Sequence, residues 1–147
     1  MPIKARWEFH GVYYAPIGVV GAAEIRRAQH FMFNPPESIV PKYQIIDARR
    51  LERFDLNEME KFNISANDAL LIKKYPGFKV AMITASKTIE KAFTDHIQTS
   101  QQLKTKAEMK HFKSIEAARE WIGLPYPKRI DGSGLLGNGD NMSLSLP

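Results

Sequence analysis

Four glycines in the stretch "DGSGLLGNGD", Gly132, Gly134, Gly137 and Gly139, carry the G-x-G-x-x-G spacing with which a strand-to-helix turn cradles a dinucleotide pyrophosphate. That chemistry needs a strand directly before the first glycine, a helix opening at the last, and an acidic residue about 20 positions further on. Pro127-Lys128-Arg129-Ile130 is too short and polar for a buried strand, Asn138 to Asn141 opens no helix, and Pro147 arrives too soon. The glycines therefore read as the end of the fold, and no cofactor is expected.

Other chemistry-bearing residues are scattered. There is no cysteine, which removes disulfides, thiolate zinc sites and cysteine nucleophiles. His10, His30, His96 and His111 fall on four different elements without H-x-x-x-H or H-E-x-x-H spacing, so no metal site is expected. No G-x-S-x-G elbow exposes a serine nucleophile, and no catalytic residues are assigned.

The best candidate site is positional. In open α/β sheets ligands gather outside the carboxyl ends of parallel strands. The two most strand-like runs end in Asp47-Ala48-Arg49-Arg50 and Thr84-Ala85-Ser86. If these strands are neighbours, Asp47, Arg49, Arg50, Thr84 and Ser86 form a ligand site at which an anion meets Arg49, Thr84 and a helix N-terminus. The structural alternative is that Asp47 and Arg49 pair with each other, Ser86 caps a helix and Arg50 is a solvated charge.

The elements that must hold these residues follow from periodicity. "ARWEFHGVYYAPIGVV" reads as two strands joined at His10-Gly11. "GAAEIRRAQHFMFNPP" spaces Ala22, Ile25, Ala28 and Met32 helically and stops at Pro35-Pro36. Tyr43 to Ile46 is a buried strand. A helix follows, with Asp55 as N-cap, Glu58 three residues on, and Met59, Phe62, Ala66, Ala69 and Leu70 forming one apolar stripe. "FKVAMITAS" is apolar on both faces, as a central strand must be. A helix with Ile89, Phe93 and Ile97, an edge strand in "AEMKHF", and a helix capped by Ser114 and closed by Gly123 complete the order ββαβαβαβα. This order predicts one α/β domain over 1–126, a mixed and largely parallel sheet of about five strands carrying about four helices. Residues 127–147, rich in Gly and Ser, predict a flexible tail.

With 147 residues, 44% of them hydrophobic, the chain suits a single core. The net charge of +5, from 21 Lys and Arg against 16 Asp and Glu, is modest and dispersed; "DARRLER" is interrupted by Asp47 and Glu52, so no nucleic-acid partner is expected. No apolar run approaches the roughly 18 residues of a membrane span, and the opening "MPIKARWEFHGVYY" lacks a signal-peptide core. The expected location is the cytoplasm.

In order and spacing, "KYQIIDARRLERFDLNEMEKF", "GFKVAMITAS" and "MKHFKSIEAAREWIG" resemble the small bacterial STAS-like (SpoIIAA-like) domains, over roughly residues 5–123. The matching positions are Asp47 and Arg49 in the Asp-x-Arg element, the strand from Lys79 to Thr84, Phe112, Ala118 and Trp121-Ile122. The resemblance implies a STAS-like fold, whose relatives serve as phosphorylation-controlled regulatory partners or as carriers of lipids and small ligands. The regulated anti-sigma-factor antagonists carry a phosphorylated serine just after an aspartate at a strand end. Here Ala48 follows Asp47, and no serine occurs until Ser65.

The aromatic clusters "WEFHGVYY" and "FMF" are expected to be core with a homodimer contact, or else to line a pocket for a lipid-like ligand. The functional expectation is a non-catalytic protein-interaction module, with a carrier of a small anionic or lipid ligand as the alternative and an enzyme of unrecognised type as the next.

Overall fold

Alternation in the first strand, β1 (Ile3–Trp7), sends Ile3, Ala5 and Trp7 into the core and leaves Lys4 and Arg6 on the opposite face. In the computed structural model, which describes residues 3–127 and the strand Ser143–Leu146, a chain reversal through His10 sets β1 antiparallel to β2 (Gly11–Pro16). Helix α1 (Ala22–Phe33) leads to β4 (Tyr43–Asp47), α2 (Glu58–Ile72) to β6 (Lys79–Ile83), α3 (Lys87–Gln102) to β7 (Glu108–Phe112), and α4 (Ile115–Ile122) follows. Strands β2, β4, β6 and β7 run parallel, and the sheet order is β7-β6-β4-β2-β1. The molecule is one α/β domain with a mixed, mostly parallel sheet and four helices.

Two short strands were not foreseen. β3 (Gly18–Gly21) and β5 (Leu51–Asp55) pair in parallel as a separate ribbon. The run "APIGVV" leaves the main sheet after Pro16 because Gly18, at φ +72°, turns the backbone while its N–H donates to the Arg50 carbonyl. Asp55, expected to cap α2, instead ends β5. The cap is Asn57, whose side chain accepts from the Glu60 amide while the Glu60 side chain accepts from the Asn57 amide.

Of the expected tail, residues 128–142 and 147, including the glycines of "DGSGLLGNGD", lie outside the described residues. Ser143–Leu146 forms β8, which pairs antiparallel with the outer edge of β1.

The sheet is covered unequally. On one face, Val12, Tyr14, Val80 and Met82 pack against Met32 of α1, Leu71 and Ile72 of α2, and Ile89 and Phe93 of α3. Part of the aromatic clusters belongs to this layer: Trp7 stacks on Phe31, and the Tyr14 hydroxyl donates to the Ala28 carbonyl, while Tyr13 lies on the opposite face and Phe9 and Phe33 are exposed. On the other face, among the described residues, α4 is the helix that covers Tyr43, Ile45, Ala81 and Ile83, through Ala118 and Ile122.

Candidate functional site

A helix of eight residues is about 12 Å long and about 10 Å wide, enough to cover roughly two strands spaced about 4.8 Å apart. α4 lies over β6, β7 and the near side of β4. The same face of β1 and β2 is covered by no helix among the described residues, and it is built from Arg6, Glu8, Tyr13 and Asp47, with Arg119 reaching across from α4.

Glu8, just past the end of β1, is 1% exposed, so its carboxylate must be matched inside the protein. Arg119 forks onto it with Nη1 at 2.5 Å from Oε1 and Nη2 at 2.7 Å from Oε2, and the Tyr43 hydroxyl donates to Oε1 at 2.5 Å. Burial pushes the Tyr43 phenol up, and the adjoining Glu8 charge pushes it further. Burial alone would lower Arg119, but its hydrogen bonds to Glu8 outweigh that and hold it above its usual value. The Arg119 guanidinium also lies 4.1 Å from the ring centroid of Tyr126.

Next to this triad, Asp47 accepts from Arg49 Nε at 2.8 Å, Arg49 Nη2 at 2.7 Å, and the Tyr13 hydroxyl at 2.5 Å. Burial raises the Asp47 carboxyl, yet the Arg49 and Tyr13 hydrogen bonds prevail and keep it below its ordinary value. Burial, together with the Asp47 carboxylate, raises the Tyr13 phenol to about 12. Arg6 stacks on the Tyr13 ring, 4.2 Å from its centroid. The Arg6 and Arg49 side chains are 46% and 43% exposed, so two guanidiniums reach solvent beside one tyrosine.

The residues singled out in the sequence are thus partly gathered. β4 and β6 are parallel neighbours with Asp47 opposite Ile83, so Asp47 and Thr84 do share one end of the sheet. Asp47 and Arg49 bind one another. Thr84 is buried, and its amide donates to the Phe112 carbonyl. The Ser86 hydroxyl caps α3 by accepting from the Ile89 amide, and Arg50 stands exposed in the turn after β4. The residues that sequence reasoning missed are Arg6, Glu8, Tyr13, Tyr43 and Arg119. A signal existed: Arg6 and Glu8 share strand parity in "ARWEF", which places two opposite charges on one side of a strand whose other side is Ala5 and Trp7.

Helices α2 and α3 hold a second polar cluster. Ser65 Oγ is 3.0 Å from His96 Nδ1, His96 Nε2 is 3.4 Å from Asp68 Oδ2, and Gln29 Nε2 donates to Asp68 Oδ1. The residue types are those of a hydrolase triad, but Ser65 is buried in the interior of a helix, where the neighbouring amides are spent on helical bonds and none is turned outward as an oxyanion donor. The cluster clasps α1, α2 and α3. Among the described residues, no group of three or more His, Asp or Glu is placed to hold a metal ion.

The outward side of α2 carries an apolar ridge flanked by exposed Lys61, Asn63 and Asn67. Met59, Phe62 and Leu70 are 69%, 51% and 65% exposed, while Ser65, Leu71 and Ile72 point inward. The expected stripe is real, but it faces solvent.

A six-strand, mostly parallel arrangement of this order with helices on both faces makes a small α/β domain of the SpoIIAA-like (STAS-like) fold, and no helix among the described residues is long and apolar enough to cross a membrane. The chain is similar to the crystal structure of an uncharacterized protein from the DUF3478 family with a SpoIIAA-like fold, from Shewanella loihica PV-4, at a TM-score of 0.53 and 16% identity, covering 76% of this chain and 83% of that one. No protein-family model matches the chain, and no curated protein matches it in sequence.

Proposed function

We propose that this chain is a non-catalytic interaction module of STAS-like type, working in the bacterial cytoplasm, which docks a protein through the outward face of α2. The observation that carries the reading is the solvent exposure of Met59, Phe62 and Leu70 along one side of a helix that is already anchored by its opposite side. The ionic face supports the non-catalytic part: both of its carboxylates are gripped by guanidiniums, and the hydrogen bonds from Arg49 and Tyr13 hold the Asp47 carboxyl below its ordinary value, away from the range of a general acid or base at neutral pH. A photoreactive amino acid placed at Phe62, with a second at exposed Glu116 as control, tests this in cells of the source organism. A protein adduct formed from position 62 alone is expected; equal labelling from both positions, or none from 62, removes the reading.

A second reading has its own observation. The half-exposed guanidiniums of Arg6, stacked on the Tyr13 ring, and Arg49, which shares Asp47 with the Tyr13 hydroxyl, suit an oxyanion, a phosphate or a lipid headgroup. Asp47 and Arg49 of the sequence-derived site take part in it, with Asp47 orienting Arg49. Titration calorimetry with pyrophosphate and with phosphatidylglycerol vesicles, on wild type and on Arg6→Ala and Arg49→Ala, decides it. No heat from the wild type with either probe ends this reading.

A further inference from the structure

The α2 face has an internal symmetry that identifies its occupant. At 100° per residue, Met59, Phe62, Ala66, Leu70 and Lys73 fall along one outward ridge, opposite the buried Leu71 and Ile72. Ala66 is its midpoint: Phe62 lies four residues before and Leu70 four after, Met59 seven before and Lys73 seven after. The charges are polarised about the same point, Glu58 and Glu60 in the first turn against Lys73 and Lys74 just beyond the last.

We infer that this ridge pairs with α2 of a second copy of the chain, antiparallel, about a two-fold axis at Ala66. The inference rests on the α2 face being a docking surface, as proposed above. A two-fold axis sets each position before Ala66 beside the position equally far after it on the other helix, so Phe62 lies by Leu70 of the second copy and Met59 by the aliphatic stem of its Lys73. The small Ala66 side chain lets the helices cross closely. The acidic first turn of each helix then meets the basic end of the other, and the two helix dipoles oppose one another favourably. A parallel pairing would set Glu58 against Glu58 and Lys73 against Lys73. The Glu58 carboxylate now sits 3.1 Å from Lys61, but that pair is exposed and exchanges partners at little cost. One helix pair buries less than about 1,200 Å², so the dimer is weak and reversible.

Sedimentation equilibrium over a concentration series reaching about 1 mM tests the inference. The wild type is expected to show a monomer–dimer equilibrium, and Phe62→Asp and Leu70→Gln to abolish it with unchanged circular dichroism. Glu58→Lys and Lys74→Glu, eight residues before and eight after Ala66, should each weaken self-association roughly 5- to 10-fold. Mixed in equal amounts, those two variants should recover wild-type affinity as a heterodimer, because both opposite-charge pairs are regained across the axis. A dimer indifferent to Phe62→Asp, or a mixture that fails to recover, overturns the antiparallel pairing. A wild type that stays monomeric overturns the second copy as occupant, while a persisting photoadduct from position 62 to another protein would leave the docking surface standing; loss of both removes both.

Discussion

Gly11 stands opposite Tyr43 in the parallel pair β2 and β4, so close that a Cβ at position 11 would lie 2.4 Å from the Tyr43 carbonyl oxygen and 2.7 Å from its ring. The missing side chain is what allows the Tyr43 ring to lie over the sheet, where its hydroxyl reaches Glu8. Neither backbone nor a buried ring gives way cheaply. Gly11→Ala is therefore expected to cost about 1–3 kcal/mol or more, read from urea unfolding.

Glu8 and Arg119, 111 residues apart, close the sheet face onto α4. Removing Arg119 leaves the buried Glu8 charge with only the longer ion pair to Arg6 at 3.6 Å, and removing Glu8 leaves the Arg119 charge without its counter-ion. Glu8→Ala and Arg119→Ala should each lose about 3–5 kcal/mol. In the double variant the two losses should fall well short of additive, because the second change removes the charge that the first left stranded. Additive losses in the double-mutant cycle would show that the fork contributes nothing as a pair.

The paired Tyr13 and Asp47 impose opposite pH limits. The Tyr13 phenol is raised from 10.0 to about 12 in the folded protein, so its contribution is fully present below pH 10.0 and is lost as pH rises through about 12. The Asp47 carboxyl is lowered from 3.8, so its contribution is present above pH 3.8 and is lost as pH falls through the lower folded value. Tyr13→Phe should remove one phenol from the late tyrosinate absorbance, to which the raised Tyr14, Tyr43 and Tyr75 still contribute, and, by removing a donor to Asp47, move acid unfolding to higher pH. Unchanged acid unfolding in Tyr13→Phe would show that its hydroxyl does not support the Asp47 charge.

Adjacent residues of α2 should respond oppositely to substitution. Leu71→Ala, in the core, is expected to lose about 2–5 kcal/mol. Leu70→Gln, on the outward ridge, should stay within about 0.5 kcal/mol under dilute monomeric conditions while sharply reducing retention on a hydrophobic matrix. Comparable losses at both positions would mean that the ridge is buried.

Much of the fold was legible because its strands and helices carry strong local patterns. The doubly apolar "KVAMI" could only be a covered central strand, and Ser86, Ser114 and Gly123 mark helix ends by their own chemistry. The ribbon of β3 and β5 escaped notice because "GVVG" has no partner within its own neighbourhood; its mate lies some thirty residues on. The direction of the α2 stripe escaped for a related reason. Periodicity locates an apolar ridge but cannot say which side of the helix meets the sheet. The polar inward residues Ser65 and Asp68 are affordable in the interior only because His96 and Gln29 arrive from other helices to bond them.

By itself, then, the sequence determined the α/β class, the order of the main elements, and the Asp47-x-Arg49 turn, since each depends on residues a few positions apart. Tertiary structure alone decided that Asp47 is shared with Tyr13, that Glu8 is neutralised by Arg119, and that Met59, Phe62 and Leu70 face water. Those outcomes depend on contacts across dozens of residues, where burial sets the value of each charge and apolar group, and burial is a property of the packed whole.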